Sequence, residues 1–295
     1  MKLSILTATY NREKYLPKLY ESIKNNLIYG LNAEWIIVDD GSKDNTKEIV
    51  KKFINENMFE IKYFHQENKG KMSAINEAVK HITGELCVEC DSDDVFIDGS
   101  FKIIKENARI LLENNELYGL AFLYKYDDGK ISGKFFTKEI TTMFDLYFKE
   151  NVGGEKRVVF NSKIRKKYSY ELEGKERFVT EARMYHKIDE KYKLYAINSA
   201  IEQGTYNDDG YTKNINKIFL ENPKGYYMYF KEILQKNMKK VIFGKRIYVI
   251  KHYILFSYLT GEKFNSKLIK SKINKFLYTI LWIPGIIKSK KFVKK

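Results

Sequence analysis

Glu34-Trp35-Ile36-Ile37-Val38-Asp39-Asp40-Gly41-Ser42-Lys43-Asp44-Asn45-Thr46-Lys47-Glu48-Ile49-Val50-Lys51-Lys52-Phe53 passes from an apolar run through a polar turn into a helical pattern. Residues 34–38 read as a buried strand, and residues 45–53 as a helix with Asp44 or Asn45 as its N-cap. The same alternation extends to both sides. Residues 3–9, 61–64 and 85–89 read as further short strands. Residues 17–27, 72–82 and 101–112 read as helices, the first with Leu19, Ile23 and Leu27 four apart. Strands and helices joined by short connections predict right-handed crossovers and a mostly parallel sheet with helices on both faces.

After residue 125 the rhythm changes. Residues 120–136 read as a hairpin around Asp127-Asp128-Gly129, residues 157–160 and 194–200 as strands, and residues 178–190 as a helix. From Thr212 the chain reads as helical and basic, and a boundary is expected near Gly210, after Asn207-Asp208-Asp209. The expected organisation is an α/β domain over residues 1–210 and a helical appendage over 211–295.

The chain has 295 residues, 44 % hydrophobic and 31 % charged, which excludes wholesale disorder. Three prolines exclude a proline-rich linker, and two cysteines exclude a disulfide scaffold. Cys87 and Cys90 have metal or redox spacing, but three apart on a strand they point to opposite faces and read as structural. The apolar run after Met1 meets Asn11-Arg12-Glu13-Lys14 too soon for a signal peptide, so a reducing cytosolic setting is expected.

The charge is unevenly placed. Residues 1–210 hold 33 basic and 35 acidic side chains, whereas residues 211–295 hold 20 and 3. An anionic partner is expected for the tail. It contains two apolar runs, 247–259 and 276–287, both shorter than the roughly 20 residues of a bilayer span. Lysines 267, 270, 272 and 275 precede the second run, and 288, 290, 291, 294 and 295 follow it. Lysine-flanked apolar segments suit a helix lying in the headgroup zone. A plain helical subdomain is the competing reading, and no nucleic-acid motif accompanies the charge.

Ligands of open parallel sheets bind beyond the carboxyl ends of the strands. There the sequence puts Thr9-Tyr10-Asn11-Arg12, Asp39-Asp40-Gly41-Ser42, Gln66-Glu67-Asn68-Lys69-Gly70-Lys71 and Asp91-Ser92-Asp93-Asp94. An aromatic ring, cations and a carboxylate cluster should therefore converge on one edge. Three carboxylates in four residues repel one another unless a cation compensates, and hard divalent ions take such oxygens together with phosphate.

These four motifs, with Asn76 after Asn68-Lys69-Gly70, occur in the order and spacing of glycosyltransferase family 2. Over roughly residues 1–210 the sequence resembles an inverting, nucleotide-sugar-dependent member with the GT-A fold. The resemblance implies that Tyr10, following Thr9, stacks on the base and that Asp40 accepts a hydrogen bond from its edge, as uracil would offer. It implies Lys71, with Lys69, near the base or diphosphate, Asp91 at the ribose or metal shell, and Asp93 on manganese or magnesium. The base of the family's members is the second acid of a pair opening a helix after the metal motif. Here that pair reads Thr180-Glu181, departing from the pattern at both positions. Helical spacing sets Glu181 on a stripe with Phe178, Ala182, Met184, Tyr185 and Ile188, with Arg183 and Lys187 opposite, so a desolvated general base is expected. A buried structural glutamate satisfied by a nearby Arg or Lys, such as Arg177, is the alternative.

The function so implied is metal-dependent transfer of a sugar from a nucleotide diphosphate to a glycan or lipid-linked glycan acceptor. The setting is bacterial surface polysaccharide assembly, such as capsule, at the cytoplasmic face of the membrane. Two other readings are a nucleotidyltransferase on a related sheet and a non-catalytic nucleotide-sugar-binding scaffold. The first needs a glycine-rich loop after strand one, which Thr9-Tyr10-Asn11-Arg12 is not. Neither a dinucleotide fingerprint nor a P-loop is present, and the four histidines are scattered. Tyr206-Asn207-Asp208-Asp209-Gly210-Tyr211 reads as a polar turn, able to close over the site or merely to mark the boundary.

Overall fold

Alternate side chains of the first strands are large and apolar on both faces, which requires cover on each side. In the computed structural model, which describes residues 1–204, 214–262, 269 and 271–293, that cover is complete. Strand β1 (Lys2–Thr9) lies between β2 (Asn32–Asp39) and β4 (Leu86–Glu89), and β3 (Glu60–His65) pairs outside β2. All three pairings are parallel. Leu3, Ile5, Trp35 and Ile37 face α1 (Leu16–Asn26), α2 (Thr46–Glu56) and α4 (Ser100–Glu113). Leu6, Ile36 and Val38 face α3 (Lys71–Lys80) on the other side.

The sheet continues through β8 (Lys156–Asn161), antiparallel to β4, then β6 (Leu117–Tyr126), antiparallel to β8. The long β9 (Lys193–Gly204) runs parallel to β6, and the short β5 (Val95–Phe96) and β7 (Ile140–Thr141) pair antiparallel with it. Six of these nine strands therefore share one direction, as the sequence predicts. Register shifts between β6 and β9 curl this half of the sheet.

The predicted hairpin forms only in part. Its turn closes through Gly129 N–H to Tyr126 O, but the return pairing is a single bridge, Lys125 with Ile131. Beyond it the chain is drawn away to α5 (Met143–Phe148), whose apolar side chains complete the core. A short α6 (Ser162–Arg165) follows β8. Cys87 and Cys90 are free, buried and on opposite faces of the sheet.

The C-terminal region consists of α8 (Ile215–Glu221), α9 (Pro223–Gln235), α10 (Phe243–Thr260) and α11 (Lys272–Val293). Its core joins Phe230, Ile233, Val249, Tyr253 and Phe256 to Phe144 and Phe148 of α5, so it is packed on the sheet domain. The apolar run 247–259 is consequently core: Val249, Ile250, Tyr253, Ile254 and Phe256 have no exposed surface. Tyr248 and Tyr258 of the same run remain exposed on its outer side. Among the described residues no helix is long and apolar enough to cross a membrane. The boundary expected near Gly210, and the turn at Tyr206–Tyr211, lie outside the described residues.

Candidate active site at the carboxyl edge of the sheet

The turns after β1 and β2 are stitched together by side chains. Asn11 N–H donates to Ser42 Oγ at 2.9 Å, and Lys43 N–H donates to Asn11 Oδ1 at 2.8 Å. Arg12 N–H donates to Thr46 Oγ1, and Glu13 N–H to Asp44 Oδ2. Asp44 also accepts from Thr46 N–H at 3.0 Å, so it satisfies the start of α2 although Asn45 occupies the cap position. Burial opposes ionisation of Asp44, but its hydrogen bonds, that of Thr46 first, hold its carboxyl below the usual range.

Asp40, buried at the end of β2, ties the second turn to the third. Its Oδ1 accepts from Gln66 Nε2 at 2.6 Å and Lys69 N–H at 2.8 Å, and its Oδ2 from Gly70 N–H at 2.8 Å. Three protein donors thus occupy a carboxylate that the family resemblance assigns to the base. Two oxygens offer about four acceptor positions, so one remains for a ligand. Gly70 has φ +94°, and a Cβ there would lie 2.3 Å from Arg177 O. Only glycine lets this loop approach the segment leading to Glu181.

Lys71, the first residue of α3, joins the remaining parts. Its Nζ is 2.7 Å from Asp91 Oδ1 and 3.1 Å from Glu181 Oε1. Burial disfavours the ammonium, but the Asp91 and Glu181 carboxylates outweigh it and raise its pKa well above the ordinary lysine value. Burial likewise opposes the charge on Asp91, and Lys71, Arg157 and Arg12 overcome it and lower its pKa. Asp91 and Asp93 sit half-buried on the bend after β4. Tyr10 is exposed at the end of β1, while Thr9 is buried with its hydroxyl unbonded among the described residues. The structure thus links all four predicted clusters and Glu181.

Asp94 behaves differently. It is buried, accepts from Tyr124 Oη at 2.7 Å, and is paired with Arg157, whose Nε donates to Glu202 Oε2 at 2.7 Å. Burial pushes Asp94 up to about 6 and Glu202 to about 8, against the pull of Arg157. Arg157, Glu202 and Tyr124 were missed from sequence. A charged residue opening the strand 157–160 was the available signal, but its partners lie 45 and 63 residues away.

Glu181 opens α7 (Glu181–Ile188), with Thr180 at the cap position. The apolar setting expected for Glu181 is absent: its side chain is 42 % exposed and is paired with a nearby lysine, Lys71. Arg183, expected opposite the apolar stripe, is 4 % exposed and pairs with Glu173 and Glu232 at 2.9 Å each. Helical phase placed it opposite the stripe correctly, but α9 covers that side. The C-terminal region also caps this segment. Asn222 Oδ1 accepts from Arg177 and Phe178 N–H, and Glu176 accepts from Lys224 and Gly225 N–H at the start of α9. The appendage is a buttress for the helix carrying Glu181. A small polar cavity between Lys71, Asp91, Glu181, Arg157, Glu89 and Tyr185 opens beside it.

The donor set suits a hard divalent cation only in part. Among the described residues no three acids, histidines or cysteines form a ready cage. Asp94 is turned to Arg157 and Tyr124, whereas Asp91, paired with Lys71, and Asp93 lie half-buried on the bend. Two carboxylates with the remaining positions filled by phosphate oxygens and water is how magnesium and manganese are commonly held. The residues therefore fit a cation that arrives with a diphosphate.

Residues 4–110 match the family model described as glycosyl transferase family 2. The chain is 36 % identical over 112 residues to an uncharacterized glycosyltransferase of Mycoplasma genitalium, MG060, covering 37 % of this chain and 38 % of that one. It is 34 % identical over 94 residues to the poly(ribitol-phosphate) beta-N-acetylglucosaminyltransferase TarS of Staphylococcus aureus, covering 32 % of this chain and 16 % of TarS. The chain thus spans well under two thirds of the length of these relatives. The crystal structure of TarS 1-349 with UDP-GlcNAc superposes with TM-score 0.58 at 18 % identity, covering 99 % of this chain and 82 % of that fragment. The mannosyltransferase PcManGT of Pyrobaculum calidifontis, solved with GDP-Man and Mn2+, superposes with TM-score 0.54 at 13 % identity, covering 97 % and 86 %. Both likenesses establish the fold. On a GT-A-type fold, this chain carries a glycosyltransferase family 2 domain over residues 4–110.

Proposed function

We propose that the protein is an inverting glycosyltransferase that takes a UDP-linked sugar and transfers it to an acceptor hydroxyl. The observation that supports this reading is Lys71 bridging Asp91 at 2.7 Å and Glu181 at 3.1 Å, which brings a cation, the Asp91–Asp93 bend and the Glu181 carboxylate together at one sheet edge. Tyr10 offers an exposed ring for a base, and Asp40 its remaining acceptor position. Asp91 and Asp93 would hold magnesium or manganese. When bound, the ion would neutralise charge on the leaving diphosphate. Lys71 supplies positive charge to the same end of the donor.

In the reaction the acceptor oxygen forms a bond to the anomeric carbon as the carbon–oxygen bond to the diphosphate breaks. The electron pair leaves with the diphosphate, and the acceptor proton passes to Glu181. Attack from the face opposite the leaving group inverts the anomeric centre. The proposed acceptor is a glycan or lipid-linked glycan of a bacterial surface polysaccharide, met at the inner face of the membrane through residues 211–295.

A panel of UDP-sugars with manganese, read by release of UDP, tests the reading. Turnover with at least one donor, its loss with EDTA, and its loss in Asp93→Ala with an unchanged melting temperature are expected. Release that ignores both chelator and Asp93→Ala overturns the metal assignment, and failure of every nucleotide sugar to bind overturns the donor class.

A further inference from the structure

We infer that the outer face of α11 is a docking surface for an anionic lipid bilayer. It carries Ile273, Phe276, Ile280, Ile283 and Ile287, each more than half exposed, with Ile283 at 70 %. Their spacing alternates between three and four, which confines them to an arc of about 80° at 100° per residue. The opposite face is the one that packs on the protein. Asn274, Tyr278 and Ser289 are buried there, and a Cβ on Gly285 would lie 2.9 Å from Ile254 Cγ2 of α10. The helix is thus fixed on its inner side and leaves a row of large apolar side chains outward. Isolated exposed apolar residues are ordinary, but a continuous stripe marks an interaction site.

Charge identifies the occupant. The helix holds five lysines and no acid. Lys272 and Lys290 border one side of the stripe, Lys288 and Lys291 the other, and all four are exposed. Such lysines lay their alkyl stems beside apolar surface and raise their ammonium groups to the phosphate level of a membrane. A second copy of the chain is disfavoured as the occupant, because it brings five more lysines and no acid against the first five. The stripe is shorter than a span and parallel to the helix axis, so the helix lies in the interface and does not cross it. This deepens the reading that the acceptor waits at a membrane, but the binding itself needs no catalysis.

Flotation of the full chain with phosphatidylcholine vesicles, with and without phosphatidylglycerol, tests the inference. Binding to the anionic vesicles, weak binding to phosphatidylcholine alone, and release by high salt are expected. The double variant Ile280→Ser with Ile283→Ser should lower the bound fraction at least about tenfold, with an unchanged melting temperature and unchanged UDP release on a soluble acceptor. Equal flotation of variant and wild type overturns the inference. So does a wild-type dimer in light scattering that the double variant turns into monomer, because the stripe is then a self-association surface. A wild type that floats but releases no nucleotide sinks the transferase reading and leaves the docking face standing.

Discussion

The carboxyl edge of the sheet and the last helix both gather charge, and they use it in opposite ways. On the edge, Lys71 lies between Asp91 and Glu181, and Arg157 between Asp94 and Glu202. On α11 five lysines stand with no acid on the helix. Charges matched inside the protein suit, on the proposed reading, a donor that carries phosphate and an acceptor with a proton to lose. Charges of one sign on an outer face have their counter-ions elsewhere. A third arrangement lies between the two. Helix α10 has an apolar run much like that of α11, yet it faces inward and serves as core.

Separating these regions by mutation gives the largest expected effect at the edge. Glu181→Gln keeps the shape of the side chain and removes the proposed base, so turnover should fall about 10²- to 10⁴-fold. Vesicle flotation should not change. Nucleotide release by the purified variant measures the first, and full activity would remove Glu181 from the mechanism. Phe256→Ala on α10 comes next. Phe256 is fully buried and stacks on Tyr226 at 5.0 Å and Phe230 at 5.7 Å. Truncation should cost roughly 3–5 kcal/mol, read as a lower urea midpoint, whereas serine at Ile283 should leave that midpoint in place. Equal effects at the two positions would erase the distinction between α10 and α11.

The smallest effect concerns the buried half of the edge. Glu202 titrates near 8 in the folded protein and near the ordinary carboxylate value when unfolded. Between about pH 4.5 and pH 8 the folded state therefore holds a proton that the unfolded state has lost, so stability falls as pH rises through that window. Glu202→Gln should flatten the fall of the urea midpoint. Asp94, raised to about 6, leaves a shorter slope of the same sign. An unchanged slope in Glu202→Gln would place the proton on another group.

Local pattern determined much of this protein. The strand–turn–helix units through α4, the placing of Asp39-Asp40, Gln66–Lys71 and Asp91–Asp94 at strand ends, and the opposite faces of Cys87 and Cys90 all follow from periods of 2 and 3.6, because neighbours in sequence fix backbone direction. Lys71 was legible as a cation near the edge, but its two carboxylate partners were not, since Glu181 lies 110 residues away. Arg157, Glu202 and the exposed setting of Glu181 escaped for the same reason.

Helix phase says which residues share a face, and only packing says what covers it. Arg183 was placed on the correct side of α7 and proved buried because α9 lies there. The runs 247–259 and 276–287 read alike, and tertiary structure alone separated them. Helix α10 packs against both α9 and α11 and shares a core with α5, while among the described residues α11 packs chiefly on α10. Composition settled that the tail is apolar and basic. Which apolar face was left for a partner depended on long-range contacts that no local window contains.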